Sequence, residues 1–149
     1  MNLRFAFALN TRDQFEEKYF GNLDKFVVFE LVSGKLKKVF EIENEFKEDA
    51  AGPFGVNEQK AENIARKLLS HDIKVIVSKH FGENIKLVNA YFIPVKMLSD
   101  IPEEAIRAIN DHVHWIRDEL NNFSSGYKLF TIKSGILKTT IENNKIRDL

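Results

Sequence analysis

The run Ile73-Lys-Val-Ile-Val-Ser78 constrains this chain more than any other stretch. Ile73, Val75, Ile76 and Val77 are β-branched and almost uninterrupted. Such a run suits a strand covered on both faces, as in the middle of a parallel sheet. It stops at Ser78, and Lys79-His80-Phe81-Gly82-Glu83-Asn84 leads as a polar, glycine-containing loop into a helix. In an open α/β sheet, the turn at a strand's carboxyl end is where ligands usually sit. The rest of the chain reads as the scaffold for that turn.

A chain of 149 residues fits one domain of ordinary size, and a hydrophobic content of 44% supplies a real core. The 13 phenylalanines read as core filling rather than as a binding platform. Lys plus Arg and Asp plus Glu both number 22, and zero formal charge argues against a duplex-binding protein. The lack of cysteine excludes a disulfide framework, thiolate metal ligands and cysteine nucleophiles. No apolar run approaches the roughly 18 residues of a membrane helix, and the N-terminus begins in strand-like sequence without a signal-peptide core. The expectation is a cytoplasmic protein with neither nucleic acid nor membrane as partner.

Leu3 to Asn10 alternates as a strand, with Leu3, Phe5, Phe7 and Leu9 on a large apolar face and Ala6 and Ala8 on a small one. Asn10-Thr-Arg-Asp13 ends it as a turn, and residues 14–25 read as loop. Lys25–Val32 and Lys35–Asn44 form an antiparallel hairpin about Ser33-Gly34, the second strand carrying the lysines of a solvated edge. A long connection over residues 45–56 follows. Asn57 is placed to cap a helix to about Ser70, with Ala61, Ile64, Ala65, Leu68 and Leu69 as its apolar stripe. After the central strand come a short helix over Glu83–Val88 and a strand over Tyr91–Val95, ended by Pro94. Asp100 and Glu103 stand at capping-box spacing, with Pro102 in the first turn of one long helix to about Asn121. The crossovers are expected to be right-handed.

The tail predicts a second hairpin, Tyr127–Ile132 and Ile136–Ile141 about Ser134-Gly135. Phe29, Ser33, Gly34, Leu36 and Lys37 match Phe130, Ser134, Gly135, Leu137 and Lys138, all 101 positions apart. Any hairpin with a Ser-Gly turn looks like this; the sharper reading is a strand pair that extends a sheet edge, with a homodimer as one way to do so. An isolated hairpin is marginal in water, so it must pack on something.

The first strand, the loop ending in Tyr19-Phe20-Gly21, the strand Phe26-Val-Val-Phe29 and the Ser-Gly hairpin resemble the dinitrogenase iron–molybdenum cofactor biosynthesis family, the nitrogenase accessory factor-like proteins. The helix, the Ile-Val strand and the turn at Gly82 and Asn84 share the resemblance, which covers about residues 1–122. It implies a three-layer α/β/α fold of ribonuclease H-like type, with a mixed five-stranded sheet in order 3-2-1-4-5. Residues 123–149 then form a C-terminal hairpin extension. It also implies an iron–molybdenum or iron–sulfur cluster as cargo, and a non-enzymatic role as accessory or carrier protein. The family's loop motif reads Ser-x-His-Phe-Gly-Arg-Ala. Tyr19 stands where that motif has histidine and Asn22 where it has arginine, so the cluster site reads as degenerate.

His80 is the one metal-ligating candidate. His80-Phe81-Gly82 repeats the triplet that the first loop lacks, so His80 would stand in for the missing histidine if the two loops meet. Asn10, Tyr19, Phe20, Gly21, Asn22, Gly55, Gly82 and Asn84 complete the candidate ligand-binding set, with a metal cluster or small anion as ligand. Asn10, Asp13 and Asn84 also have a plain reading as turn chemistry. His112 and His114 point about 200° apart on a helix and cannot share a metal. His71 suits a helix C-terminus, and Glu41 to Asp49 reads as a solvated edge. Without carboxylates close enough to hold two metals, phosphodiester chemistry has no machinery. No nucleophile–base pair or phosphate-cradling loop is visible in the sequence, so the expectation is a non-enzyme, and an enzyme built from distant residues that converge in the fold ranks third. The alternative to a carrier is a protein–protein interaction module, or a homodimer built through the C-terminal hairpin, with no metal ligand.

Overall fold

In the computed structural model, residues 2–49, 58–121, 126–133 and 136–139 are described. Seven strands form one sheet: β1 (Arg4–Leu9), β2 (Lys25–Val32), β3 (Lys35–Glu43), β4 (Ile73–Ser78), β5 (Ile93–Met97), β6 (Leu129–Ile132) and β7 (Ile136–Thr139). Their order is β3-β2-β1-β4-β5-β6-β7. The two hairpins are antiparallel, while β1, β4, β5 and β6 run parallel in the middle. Helices α1 (Glu58–Ser70), α2 (Ile85–Tyr91), α3 (Pro102–Asp111) and α4 (Val113–Asn121) cover both faces. The molecule is therefore an α/β protein in three layers.

The alternation in β1 decides which helices go where. Ala6 and Ala8 face α1 and α2, in a core with Phe20, Phe26, Val28, Ala61, Ile64, Leu68 and Val88. Phe5, Phe7 and Leu9 face α3 and α4, in a core with Val75, Val77, Ile93, Val95, Ala105, Ile109 and Ile116. β4 lies between the two, and Ile73, Val75, Ile76 and Val77 are all buried. Burial of each such side chain contributes about 1.5–3 kcal/mol, so this strand anchors both layers at once.

The C-terminal hairpin does extend a sheet edge, and it does so within the chain: β6 adds in parallel to β5, carrying the order past the expected five strands. The turn at Ser134-Gly135, the cap at Asn57, the candidate Gly55 and the end of the last strand at Ile141 lie outside the described residues. Tyr91 ends α2 rather than starting a strand, and Pro94 sits inside β5. It is tolerated near the strand's start because β6 begins to pair only at Val95, one residue later. Leu69, expected in the buried stripe of α1, is 38% exposed.

The long final helix is two helices. In a continuous helix the N–H of His112 would donate to the carbonyl of Ala108. Instead the His112 side chain takes that oxygen through Nδ1 at 2.9 Å, and its backbone N–H turns to Ile109 at 3.1 Å. The bend lets α3 stay fastened to the β3 edge, where Asn110 Oδ1 accepts the N–H of Leu36 at 2.9 Å. Asp100 does not cap α3. Its carboxylate pairs with Lys79, and the N-cap position is held by Ile101, whose N–H bonds Ser99 Oγ at 3.2 Å. Pro102 does open the helix.

One crossover breaks the expected hand. β4 to β5 and β5 to β6 step toward the same edge of the sheet. The first passes through α2 on one face, the second through α3 and α4 on the other. Parallel crossovers that step the same way over opposite faces are of opposite hand, so both cannot be right-handed. The face over β4 is already filled by α1 packed on α2.

Candidate functional site

The loop after β1 and the loop after β4 meet at one rim of the sheet. Tyr19 forms an isolated parallel bridge with His80, and the Phe20 N–H donates to the His80 carbonyl at 2.8 Å. The segment 10–18 loops out, and the chain then returns in line with β1 to continue the pairing with β4. Phe15 roots that loop below, stacked on Phe7 and donating its N–H to the Asp100 carbonyl at 3.0 Å.

Tyr19 fills the space between the two loops. Its hydroxyl accepts a hydrogen bond from Asn84 Nδ2 at 2.7 Å. Two glycines make room for its ring. A Cβ on Gly21 would come within 2.7 Å of Tyr19 Cε2, and one on Gly82 would lie 3.2 Å from Tyr19 Cδ1 and 3.8 Å from His80 Nε2. Gly82 also has a φ of +68°, which favours glycine. Burial raises the Tyr19 pKa, and the Asn84 hydrogen bond offsets part of the rise. The phenol is therefore a neutral, fixed group at physiological pH.

The remaining candidates divide into those tied into the scaffold and one that is not. Asn10 is buried; its Nδ2 donates to Glu16 at 2.8 Å, and its Oδ1 accepts the N–H groups of Arg12 and Gln14. This is an Asx-type turn. Asp13 adopts a φ of +60° and pairs with Lys25 at 2.6 Å. Phe20 is buried against Phe81, and Asn22 Oδ1 accepts from Lys60 Nζ. His80 is exposed, and no described residue hydrogen-bonds its imidazole. Among the described residues, no three histidine, aspartate or glutamate side chains gather to hold a metal ion. His71 lies against Phe40 at the far rim, and both His112 and His114 lie against Trp115.

Sequence reasoning missed three residues around this rim. Asn44, within the stretch read as solvated, is buried and donates through Nδ2 to the carbonyls of Gly21 and Leu23 at 2.8 and 2.9 Å. Lys60 is only 4% exposed; its position one turn before Ile64, on the buried stripe of α1, was the available signal. Ser78 is fully buried, and its Oγ has no hydrogen-bond partner among the described residues. Beside Asn44 opens a hollow of about 700 Å³ bordered by Thr11, Asp24, Lys25, Glu43 and Lys47. Lys47 pairs with Asp24 across it, which lowers the Asp24 pKa and raises that of Lys47.

Compared with family models, with curated proteins and with solved structures, the chain matches none. Among the described residues no helix is long and apolar enough to cross a membrane. The reading of this rim therefore rests on its own geometry.

Proposed function

We propose that this protein is a non-enzymatic accessory protein of the nitrogenase accessory factor-like type, with a ribonuclease H-like fold, whose cluster-holding loop has become a fixed structural joint. The observation that carries the reading is the Tyr19 ring seated between Gly21 and Gly82, with its hydroxyl on Asn84. A tyrosine kept neutral by burial is a poor ligand where an imidazole would be a good one. His80 then stands as an exposed imidazole at the head of the β4 turn. On this reading the protein binds a partner or small anion at the rim and carries neither an iron–molybdenum nor an iron–sulfur cluster.

Anaerobic reconstitution with ferrous iron and sulfide, and calorimetric titration with zinc and nickel, test it. The natural chain is expected to develop no cluster absorption and no metal-binding heat. Tyr19→His places a second imidazole next to His80 and is expected to gain nickel and zinc binding, which His80→Ala then abolishes. Cluster uptake by the natural chain would overturn the proposal.

A second reading is an interaction module that pairs with another copy through its C-terminal hairpin. It draws support from the position of β7 as the last strand of the sheet. Such an edge offers backbone donors and acceptors to a further strand. Light scattering across a concentration series tests it: a dimer that disappears when residues 134–149 are removed supports it, and a monomer throughout removes it.

A further inference from the structure

Lys60 points its ammonium at three oxygens from two separate segments. Nζ donates to the Asn22 side chain in the turn after Tyr19, to the Lys47 carbonyl at 2.9 Å and to the Asp49 carbonyl at 3.4 Å. Its aliphatic stem runs beside the turn: a Cβ on Gly21 would lie 3.3 Å from Lys60 Cε and 3.1 Å from Ile64 Cδ1. Burial lowers the Lys60 pKa, with Asp49 and Glu48 acting the other way. Carbonyl and amide oxygens converging on one point are what a weakly hydrated monovalent cation seeks in place of its water shell.

We propose that these oxygens form a monovalent-cation cage that the chain fills with its own lysine, and that Lys60 thereby fastens the 19–24 turn and the 45–49 segment to α1. The ligand class of the cage is a primary ammonium, with potassium as its nearest inorganic equivalent. Charge-assisted hydrogen bonds are about twice as strong as neutral ones, so one group can add substantially to the hold between these two segments. Asn44 braces the same turn from the opposite side through Gly21 and Leu23. The ammonium thus closes a frame of buried donors around the joint at Tyr19, and this holds whether or not the rim takes a metal.

Chemical rescue tests the proposal. Lys60→Ala removes three methylenes and the ammonium, which propylammonium replaces atom for atom. The variant is expected to melt several degrees lower and to exchange backbone amides about tenfold or more faster in 19–24 and 45–49 together. Propylammonium should restore both properties, and tetramethylammonium, which has the charge but no N–H, should restore neither. Lys60→Met keeps the stem and loses only the charged donors; it carries the test if the alanine variant does not fold, and is expected to loosen the same two segments. Natural exchange rates in Lys60→Met, or equal effects of the two ammonium salts on Lys60→Ala, would overturn the proposal. Neither arm involves a metal, so failure here leaves the reading of Tyr19 and His80 intact.

Discussion

Phe20 donates its backbone N–H to the carbonyl of His80 at 2.8 Å, and this bond makes the turn after Tyr19 a continuation of the sheet beyond the end of β1. Two loops that are far apart in sequence thereby share one rim. Everything that the rim can bind is shaped by how rigidly that bond and its neighbours hold Tyr19.

Tyr19→Phe removes the acceptor of the buried Asn84 amide. An amide donor left without a partner costs about 1–3 kcal/mol. Urea denaturation should show that loss, and a double-mutant cycle with Asn84→Ala should show less than the sum of the two single changes. Additive losses would mean that the two side chains do not depend on each other.

Gly21→Ala is expected to destabilise by about 1–3 kcal/mol through overpacking, because its new methyl would meet Tyr19 and Ile64. Gly34→Ala offers the contrast. Nothing lies within 4 Å of its Cβ position, and its φ of +80° leaves only backbone strain, about 1 kcal/mol. Thermal melts of both variants separate crowding from conformation; an equal loss in the two would contradict the placement of the Tyr19 ring.

The Asp24–Lys47 pair makes stability acid-sensitive. The Asp24 pKa is lowered, first by its hydrogen bond with Lys47. A lowered carboxylate contributes stability that is present above its unfolded value, about pH 4, and lost as the pH falls through the folded value. The raised Lys47 pKa sets the other limit, with its contribution lost only as the pH rises through the folded lysine value. Urea midpoints for the natural chain and Asp24→Asn should differ at neutral pH and converge in acid. A difference that persists at pH 2 would mean that the pair is not the cause.

Ser78→Ala should be tolerated. Its hydroxyl is buried without a partner among the described residues, so its removal relieves a desolvation cost that offsets the small cavity. Stability should stay within about 1 kcal/mol of the natural chain or rise. A loss well beyond that, measured by denaturant unfolding, would reveal a bound water on Oγ.

The strand pattern was legible because it depends on neighbours in sequence. β2 and β4 have the bounds that their apolar runs predict, and Ala6 and Ala8 announced the face that a helix approaches closely. Asn10 and Asp13 form the turn expected of them. The bend at His112 was not legible, since an intact helical stripe runs straight through it and only the competition of its own ring for the Ala108 carbonyl interrupts the ladder. Asp100 had the spacing of a cap, but a lysine from another strand claims it.

By itself the sequence determined most of the secondary elements, the buried middle strand and the hairpin at Ser33-Gly34, because periodicity and turn chemistry act over a few residues. Tertiary structure alone decided that Tyr19 and His80 meet, that β6 joins β5 and that Lys60 is buried among oxygens. Those outcomes depend on which distant groups arrive at the same place, and a buried donor takes whichever acceptor the packing brings to it.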